Sequence, residues 1–336
     1  MPKALILGAS GQLGFAVADL LAREGWQVHA ATRGHRALPR ALRGRATPLD
    51  AEGRSLADLL AESGPVDAVF DPNAYDGADA QALLAEKSRF GSLVVVSSAS
   101  VYQDAAGHSL ETDQSPDFPV PLAESQTTVA PGPATYSSRK VAMELALVAA
   151  GFPVTILRPC AIHGIHARHP REWWLVKRAL DRRAAIPVAY AAQSRFHTTA
   201  AVNAASLTAL CFAAPGQRVL NVADPVAHSV AEIAAALADH LGQPVPLMPF
   251  AGPPDGTVGR TPWSLPDRME VDCTAARALG WQPHSYHQTT AAFVSWMLAA
   301  TRTTGWRDLF TGFGSYGHDP FDYAAEDEWL RAHSGK

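Results

Sequence analysis

Lys3-Ala4-Leu5-Ile6-Leu7-Gly8-Ala9-Ser10-Gly11-Gln12-Leu13-Gly14 decides how the rest of this chain is read. An apolar run of four residues, Ala4–Leu7, enters a glycine-spaced turn, and the turn opens onto an amphipathic pattern with Leu13, Val17, Leu20 and Leu21 on one side. A strand, a tight turn and a helix follow from that order. Gly8 permits the sharp turn, Gly11 lets a ligand approach the backbone, and Gly14 lets helix and strand pack closely. The unpaired N–H groups at the start of the helix suit a phosphate, so Gly8, Ser10, Gly11, Gln12, Leu13 and Gly14 are expected to hold a dinucleotide.

Outward from this turn the same alternation repeats. Apolar strands are predicted at Gln27–Ala31, Arg45–Leu49, Val66–Asp71, Leu93–Val96 and Val154–Leu157, with helices at Gln12–Arg23, Leu56–Ala61, Ala78–Lys87 and Tyr136–Ala149. Predominantly apolar strands, with Leu93–Val96 unbroken, separated by helices, argue for a parallel sheet covered on both faces. The fold class read here is α/β: a Rossmann doubly wound parallel sheet with a smaller mixed α/β C-terminal substrate lobe. Residues 1–160 form the dinucleotide domain, with a return segment at about 195–225. Residues 161–194 and 226–336 form the lobe and tail. The Pro- and Ser-rich stretch Asp104–Pro133 reads as a long loop, a length that usually marks function. The tail from Asp308 has no assignment.

Composition narrows the class. Apolar residues make up 47% of 336 and the formal net charge is -4, so a globular chain without a general bias to polyanions is expected. Three cysteines lie far apart, which suggests neither a disulfide framework nor a zinc knuckle. With no signal-like start and no apolar run of ~18 residues, a cytoplasmic location without membrane association is expected.

Two further stretches carry chemistry. An NAD site would place a carboxylate about 20 residues after the glycines, on the ribose hydroxyls. Here Arg33 stands 19 positions past Gly14, with Arg36 close behind. A guanidinium binds a 2′-phosphate that a carboxylate would repel, so the expected cofactor is NADP(H). Further on, Ser97-Ser98-Ala99-Ser100-Val101-Tyr102 ends a strand, and Tyr136-Ser137-Ser138-Arg139-Lys140 begins a helix. Tyr136 and Lys140 share one helix face. A lysine cation favours the phenolate and should lower the tyrosine's pKa, and a serine hydroxyl can bond a substrate oxygen. Ser98, Tyr136 and Lys140 are therefore the expected catalytic groups.

The glycine spacing, the Ser-Ser-Ala-Ser-Val-Tyr segment, Tyr136-x-x-x-Lys140 and Arg158-Pro159, in this order, resemble the extended (or divergent) branch of the short-chain dehydrogenase/reductase superfamily, of NAD-dependent epimerase/dehydratase type. The resemblance implies Asp50 at the adenine, and Asn73, Ser97, Pro159 and Ala161 along the cofactor, with Lys140 also on the nicotinamide ribose. It implies Ser100, Tyr102, His163 and His166 as substrate contacts. The chain also departs from that pattern. Ala99-Ser100 stands where 4,6-dehydratases carry Asp-Glu, His197-Thr198-Thr199 replaces the usual His-Val-Asp, and Phe70-Asp71-Pro72-Asn73-Ala74-Tyr75 replaces an alanine run. His163, His166 and His169 recur every third residue in a loop, and no metal is expected there. The expected function is NADP(H)-dependent hydride transfer at a carbonyl or alcohol of a small molecule. A sugar-nucleotide epimerase with tightly bound cofactor, and a non-catalytic NADP(H)-sensing or RNA-binding protein, are the alternatives. Nucleic acid is not the expected partner, and a homodimer stays open.

Overall fold

The computed structural model describes residues 1–34 and 37–333. Its backbone contacts divide the chain into two compact units. The first comprises Met1–Ile162, Thr199–Ala223 and Val271–Pro283, and the second His163–Thr198, Asp224–Glu270 and His284–Lys336.

The first unit is built on a parallel sheet. β1 (Lys3–Leu7), β2 (Gln27–Thr32), β3 (Thr47–Asp50), β4 (Val66–Asp71), β5 (Phe90–Val96) and β6 (Val154–Pro159) are joined at one edge by a return strand, Arg218–Val222. The seven run in the order return strand-β6-β5-β4-β1-β2-β3, and every neighbouring pair runs parallel. The order reverses at β1, so the Gly8 turn sits where a doubly wound sheet receives its ligand. Sequence and structure agree on this α/β class.

Apolar strands of this kind fold only when both faces are covered. Leu5, Val69, Leu93, Val95 and Ile156 pack with Leu59 and Leu60 of α2 (Leu56–Ser63), Leu83 of α3 (Gly77–Ala85) and Met143 and Leu147 of α4 (Tyr136–Ala149). The alternate β1 residues Ala4 and Ile6 are equally buried. On that side α1 (Gln12–Arg23) lies against a later helix, Ala201–Ala213, with Trp26 and Phe212 at 5.8 Å.

The Asp104–Pro133 stretch holds no helix or strand, yet it is tied down. Asp104 accepts from the N–H groups of Ala106, His108 and Asp117, and these bonds, that from Asp117 foremost, hold its carboxyl below the usual range. Asn221 on the return strand donates to the carbonyls of Leu122 and Asp272, each at 3.0 Å.

The second unit is mixed. It contains the helices Trp173–Leu180, Val230–Leu241, Tyr286–Thr303 and Tyr323–His333, and two short parallel pairs, Ile186–Val188 with Leu247–Pro249 and Arg195–Phe196 with Arg268–Met269. The strand Ile186–Val188 ends short of Tyr190, because Tyr190, Ala191 and Ala192 all adopt left-handed φ of 53°, 53° and 57°. Three such non-glycine residues in succession end any strand. The tail without a sequence assignment is an aromatic layer. Phe313 packs on Trp306, Tyr316 and Phe321, and Glu326 pairs with the buried Arg178 (Nε to Oε1, 3.0 Å). No helix among the described residues is long and apolar enough to cross a membrane.

Candidate active site

The site of the first unit begins at the β1–α1 turn. Gly8 has φ +64°, and a Cβ there would lie 2.7 Å from Asn73 Nδ2. A Cβ on Gly14 would lie 2.3 Å from the Gly8 carbonyl oxygen, so only glycine fits. Gly11 N–H donates to Gly8 O at 2.9 Å, and Ala9 N–H to Ala31 O at 3.1 Å, which fixes the turn against β2. The first turn of α1 has no side-chain cap and no acidic residue, so the turn itself supplies no anion to its N–H groups. Gln12 Nε2 and Ser97 Oγ are buried without a protein partner. A glycine cradle, an uncapped helix start and two orphaned polar groups fit a dinucleotide.

Arg33 follows β2 and is exposed; Arg36 lies outside the described residues. Register places Thr32 beside Asp50 at the end of β3. Asp50 Oδ1 accepts from Glu52 N–H at 3.0 Å, which orders the turn it heads.

The catalytic candidates meet at the ends of β5 and α4. Thr135 caps α4 through Ser138 N–H, and Tyr136 is the first helical residue. Ser98 Oγ accepts from Ser100 N–H at 3.1 Å, and its hydroxyl acts on Tyr136 to favour the phenolate. Ser137 Oγ donates to Ser100 Oγ at 2.9 Å, and Ser137 N–H donates to Glu111, which gives the start of α4 a carboxylate. Lys140 is only 4% exposed, and its ammonium donates to Ala74 O at 2.5 Å and Val96 O at 2.9 Å.

This geometry changes one electrostatic expectation. The Tyr136 side chain is 42% exposed, yet loss of solvent around its hydroxyl raises the phenol's pKa, with the Ser98 bond opposing the rise. Lys140 Nζ lies 5.8 Å from the ring centre and is engaged by two carbonyls instead of the phenol oxygen. Burial lowers Lys140 itself to about 8, although Asp71, Asp79 and Glu144 oppose the fall.

Two of the expected substrate contacts are not available as such. Tyr102 is fully buried, its hydroxyl donates to Asn221 Oδ1 at 2.6 Å, and Arg158 lies 4.9 Å over its ring. Burial takes its pKa to about 12. His163, in the second unit, is buried with Nε2 on Asp224 Oδ2 at 2.8 Å. Burial lowers its pKa, but the Asp224 charge and hydrogen bond outweigh this and leave it raised. His166 stands edge-on to Trp296, and His169 Nε2 meets the Tyr316 hydroxyl at 2.6 Å. The three regularly spaced histidines thus have three different partners. Ala161 and Pro159 are buried at the end of β6 and just beyond it.

A family model described as "NAD dependent epimerase/dehydratase family" matches residues 4–190, more than half of the sequence. The chain belongs to the NAD-dependent epimerase/dehydratase family. It is thereby an enzyme of a nicotinamide-dinucleotide-dependent kind, with the short-chain dehydrogenase fold. Among curated proteins none matches the sequence. Solved structures of the same fold include the dTDP-glucose 4,6-dehydratase of Bacillus anthracis in complex with NAD, at 15% identity and TM-score 0.68, covering 92% of this chain and 100% of that one. The UDP-glucuronic acid 4-epimerase of Bacillus cereus, in complex with UDP-glucuronic acid and NAD, is similar at 17% and 0.66, covering 89% and 99%. A putative epimerase from Burkholderia cenocepacia reaches 21% and 0.68, covering 89% and 98%.

Two neighbours of Ser98, Tyr136 and Lys140 escaped the sequence reading. Tyr75 lies with its ring 5.7 Å from that of Tyr136 and 5.9 Å from Lys140 Nζ. Asp71, at the end of β4, is a buried carboxylate whose Oδ1 accepts from Asn73 N–H at 2.7 Å and Ala74 N–H at 3.2 Å. Both stand in the segment flagged as divergent, which was the only signal for them.

Proposed function

We propose that this protein is an NADP(H)-dependent oxidoreductase that reduces a carbonyl, or oxidises the matching alcohol, on a small molecule. The observation that carries the reading is the buried Lys140 ammonium, 5.8 Å from the ring centre of Tyr136 at the end of the strand that leads into Ser98. A bound nicotinamide dinucleotide supplies or accepts the hydride. In reduction the Tyr136 hydroxyl gives its proton to the carbonyl oxygen, Ser98 Oγ donates a hydrogen bond to the same oxygen, and Lys140 offsets the negative charge left on the phenolate. In oxidation the phenolate takes the alcohol proton. A raised phenol pKa favours the protonated form at neutral pH, which suits reduction.

Arg33, exposed just past β2 where an NAD site would carry a carboxylate, supports NADP(H) over NAD. Gly8, Ser10, Gly11, Gln12, Leu13 and Gly14 are assigned to the pyrophosphate, Asp50 to the adenine side, and Asn73, Ser97, Pro159 and Ala161 to the rest of the cofactor.

The test pairs two variants. Tyr136→Phe should lower carbonyl reduction roughly 10²–10⁴-fold across a panel of aldehydes, ketones and sugar nucleotides, with NADPH affinity unchanged. Arg33→Ala should weaken NADPH roughly ten- to hundredfold while leaving NADH nearly untouched. Full activity in the first variant removes the acid/base role, and equal loss for both cofactors in the second removes the 2′-phosphate role.

Family membership favours a second reading, a sugar-nucleotide epimerase that retains its cofactor. Heat-denatured protein, purified without added nucleotide, would then release about one dinucleotide per chain. Release of none favours the reductase. A non-catalytic sensor has no use for Ser98 beside Tyr136.

A further inference from the structure

Asp71 is buried, lies outside the Ser98/Tyr136/Lys140 set and bonds neither the glycine turn nor the tyrosine. What it does hold is the turn after β4. Its Oδ1 takes the N–H groups of Asn73 and Ala74, and the carbonyl of the same Ala74 takes the Lys140 ammonium at 2.5 Å. Ala74 is therefore gripped from both sides, by a carboxylate at its nitrogen and by a cation at its oxygen. The second acceptor of Lys140, Val96 O, belongs to the neighbouring strand β5.

We propose that Asp71 is a positioning residue for Lys140: it fixes the carbonyl that receives the ammonium, and its negative charge keeps that buried ammonium protonated. This rests on the reading of Lys140 as part of the hydride-transfer site and deepens it. An ammonium taken out of water loses its hydration, and two carbonyl dipoles replace only part of it. A carboxylate nearby supplies the remainder as field. The groups facing Lys140 are Asp71 from β4, Asp79 from α3, Glu144 and Tyr136 from α4, and Tyr75 from the turn, whose ring also carries Arg139 at 5.5 Å. Of the three acids, Asp71 raises the lysine's proton affinity most. Burial raises the proton affinity of Asp71 itself, while its two N–H donors and Lys140 hold it down.

The sign follows directly. Asp71→Asn keeps an oxygen for the two N–H groups and removes the charge, so Lys140 should give up its proton at lower pH. The measurement is the ¹³Cε resonance of Lys140 against pH in ¹³C-lysine-labelled protein without cofactor or substrate, assigned by its absence in Lys140→Met. The native midpoint should lie near pH 8, and that of Asp71→Asn about one pH unit lower. Asp79→Asn should move it less. Coincident midpoints for native and Asp71→Asn, or a larger movement with Asp79→Asn, overturn the proposal. Should Asp71→Asn fail to fold, the coupling is read from the other end, since it is reciprocal. The Asp71 ¹³Cγ midpoint must rise in Lys140→Met, and an unchanged midpoint overturns the proposal equally. No turnover enters this test. Failure of the Tyr136→Phe experiment would sink the hydride reading and leave the Asp71–Lys140 coupling standing; coincident midpoints would do the reverse.

Discussion

At the scale of single residues the site depends on what has no side chain as much as on what has one. Gly14 shows this most clearly, because the atom a methyl would meet is a backbone oxygen that cannot rotate away. Gly14→Ala should therefore cost about 1–3 kcal/mol of stability and open the Gly8–Gly14 turn. Urea unfolding together with dinucleotide titration checks this, and a variant with native midpoint and native affinity would contradict it. The glycines, Ser98, Tyr136 and Lys140 were legible in the sequence because each belongs to a short local pattern whose spacing has a geometric reason. Asp71 was not, since its role passes through a backbone carbonyl to a helix 69 positions further on. Tyr102 was misread for a related reason. Its place after the serine segment says that it is near the site, but only Asn221 and Arg158, which it meets across the fold, show that it is sealed.

At the scale of elements, α4 and β6 are held together by charge inside the core. Arg158 Nε donates to Glu144 Oε1 at 3.0 Å and Nη2 to Oε2 at 2.5 Å, with both residues about 95% buried. Burial works against the Arg158 cation, but the Glu144 bonds and charge more than restore it. Removing one partner strands a buried charge, so Glu144→Ala should cost about 3–5 kcal/mol. Replacing both with apolar residues of similar volume should cost less than the single change, and the opposite order in denaturant unfolding would disprove the account. The strands and helices of the sheet were readable because each apolar period is local. Their edges were less so. β5 begins at Phe90, ahead of the predicted Leu93, because Gly91 and Ser92 look like a break in sequence and are accommodated by pairing with β4. The left-handed run Tyr190–Ala192 carries no glycine, hence no sequence signal at all.

At the scale of the whole molecule, the second unit depends on its last helix. Arg178 is buried, stacked 3.6 Å over Trp174, and satisfied by Glu326, the Trp174 carbonyl and the Pro320 carbonyl. Glu326→Ala should lower the melting transition of this unit and expose the helix Tyr323–His333 to proteolysis first. Unchanged melting would show that the tail is an appendage. The sequence concealed this dependence, since aromatic residues at irregular spacing have no period to read.

The return strand also sets a clock. Arg218–Val222 pairs with β6, and Asn221 ties the sheet edge to Leu122 and Asp272. On the ribosome, β6 is complete long before the return strand has been made. Residues 160–222 take roughly 3–13 s to synthesise at about 5–20 residues per second. Through that interval the nascent sheet carries an open parallel edge, the kind of surface that recruits stray strands. Slow translation between residues 163 and 218 should therefore lower the yield of soluble protein more than the same delay after residue 283.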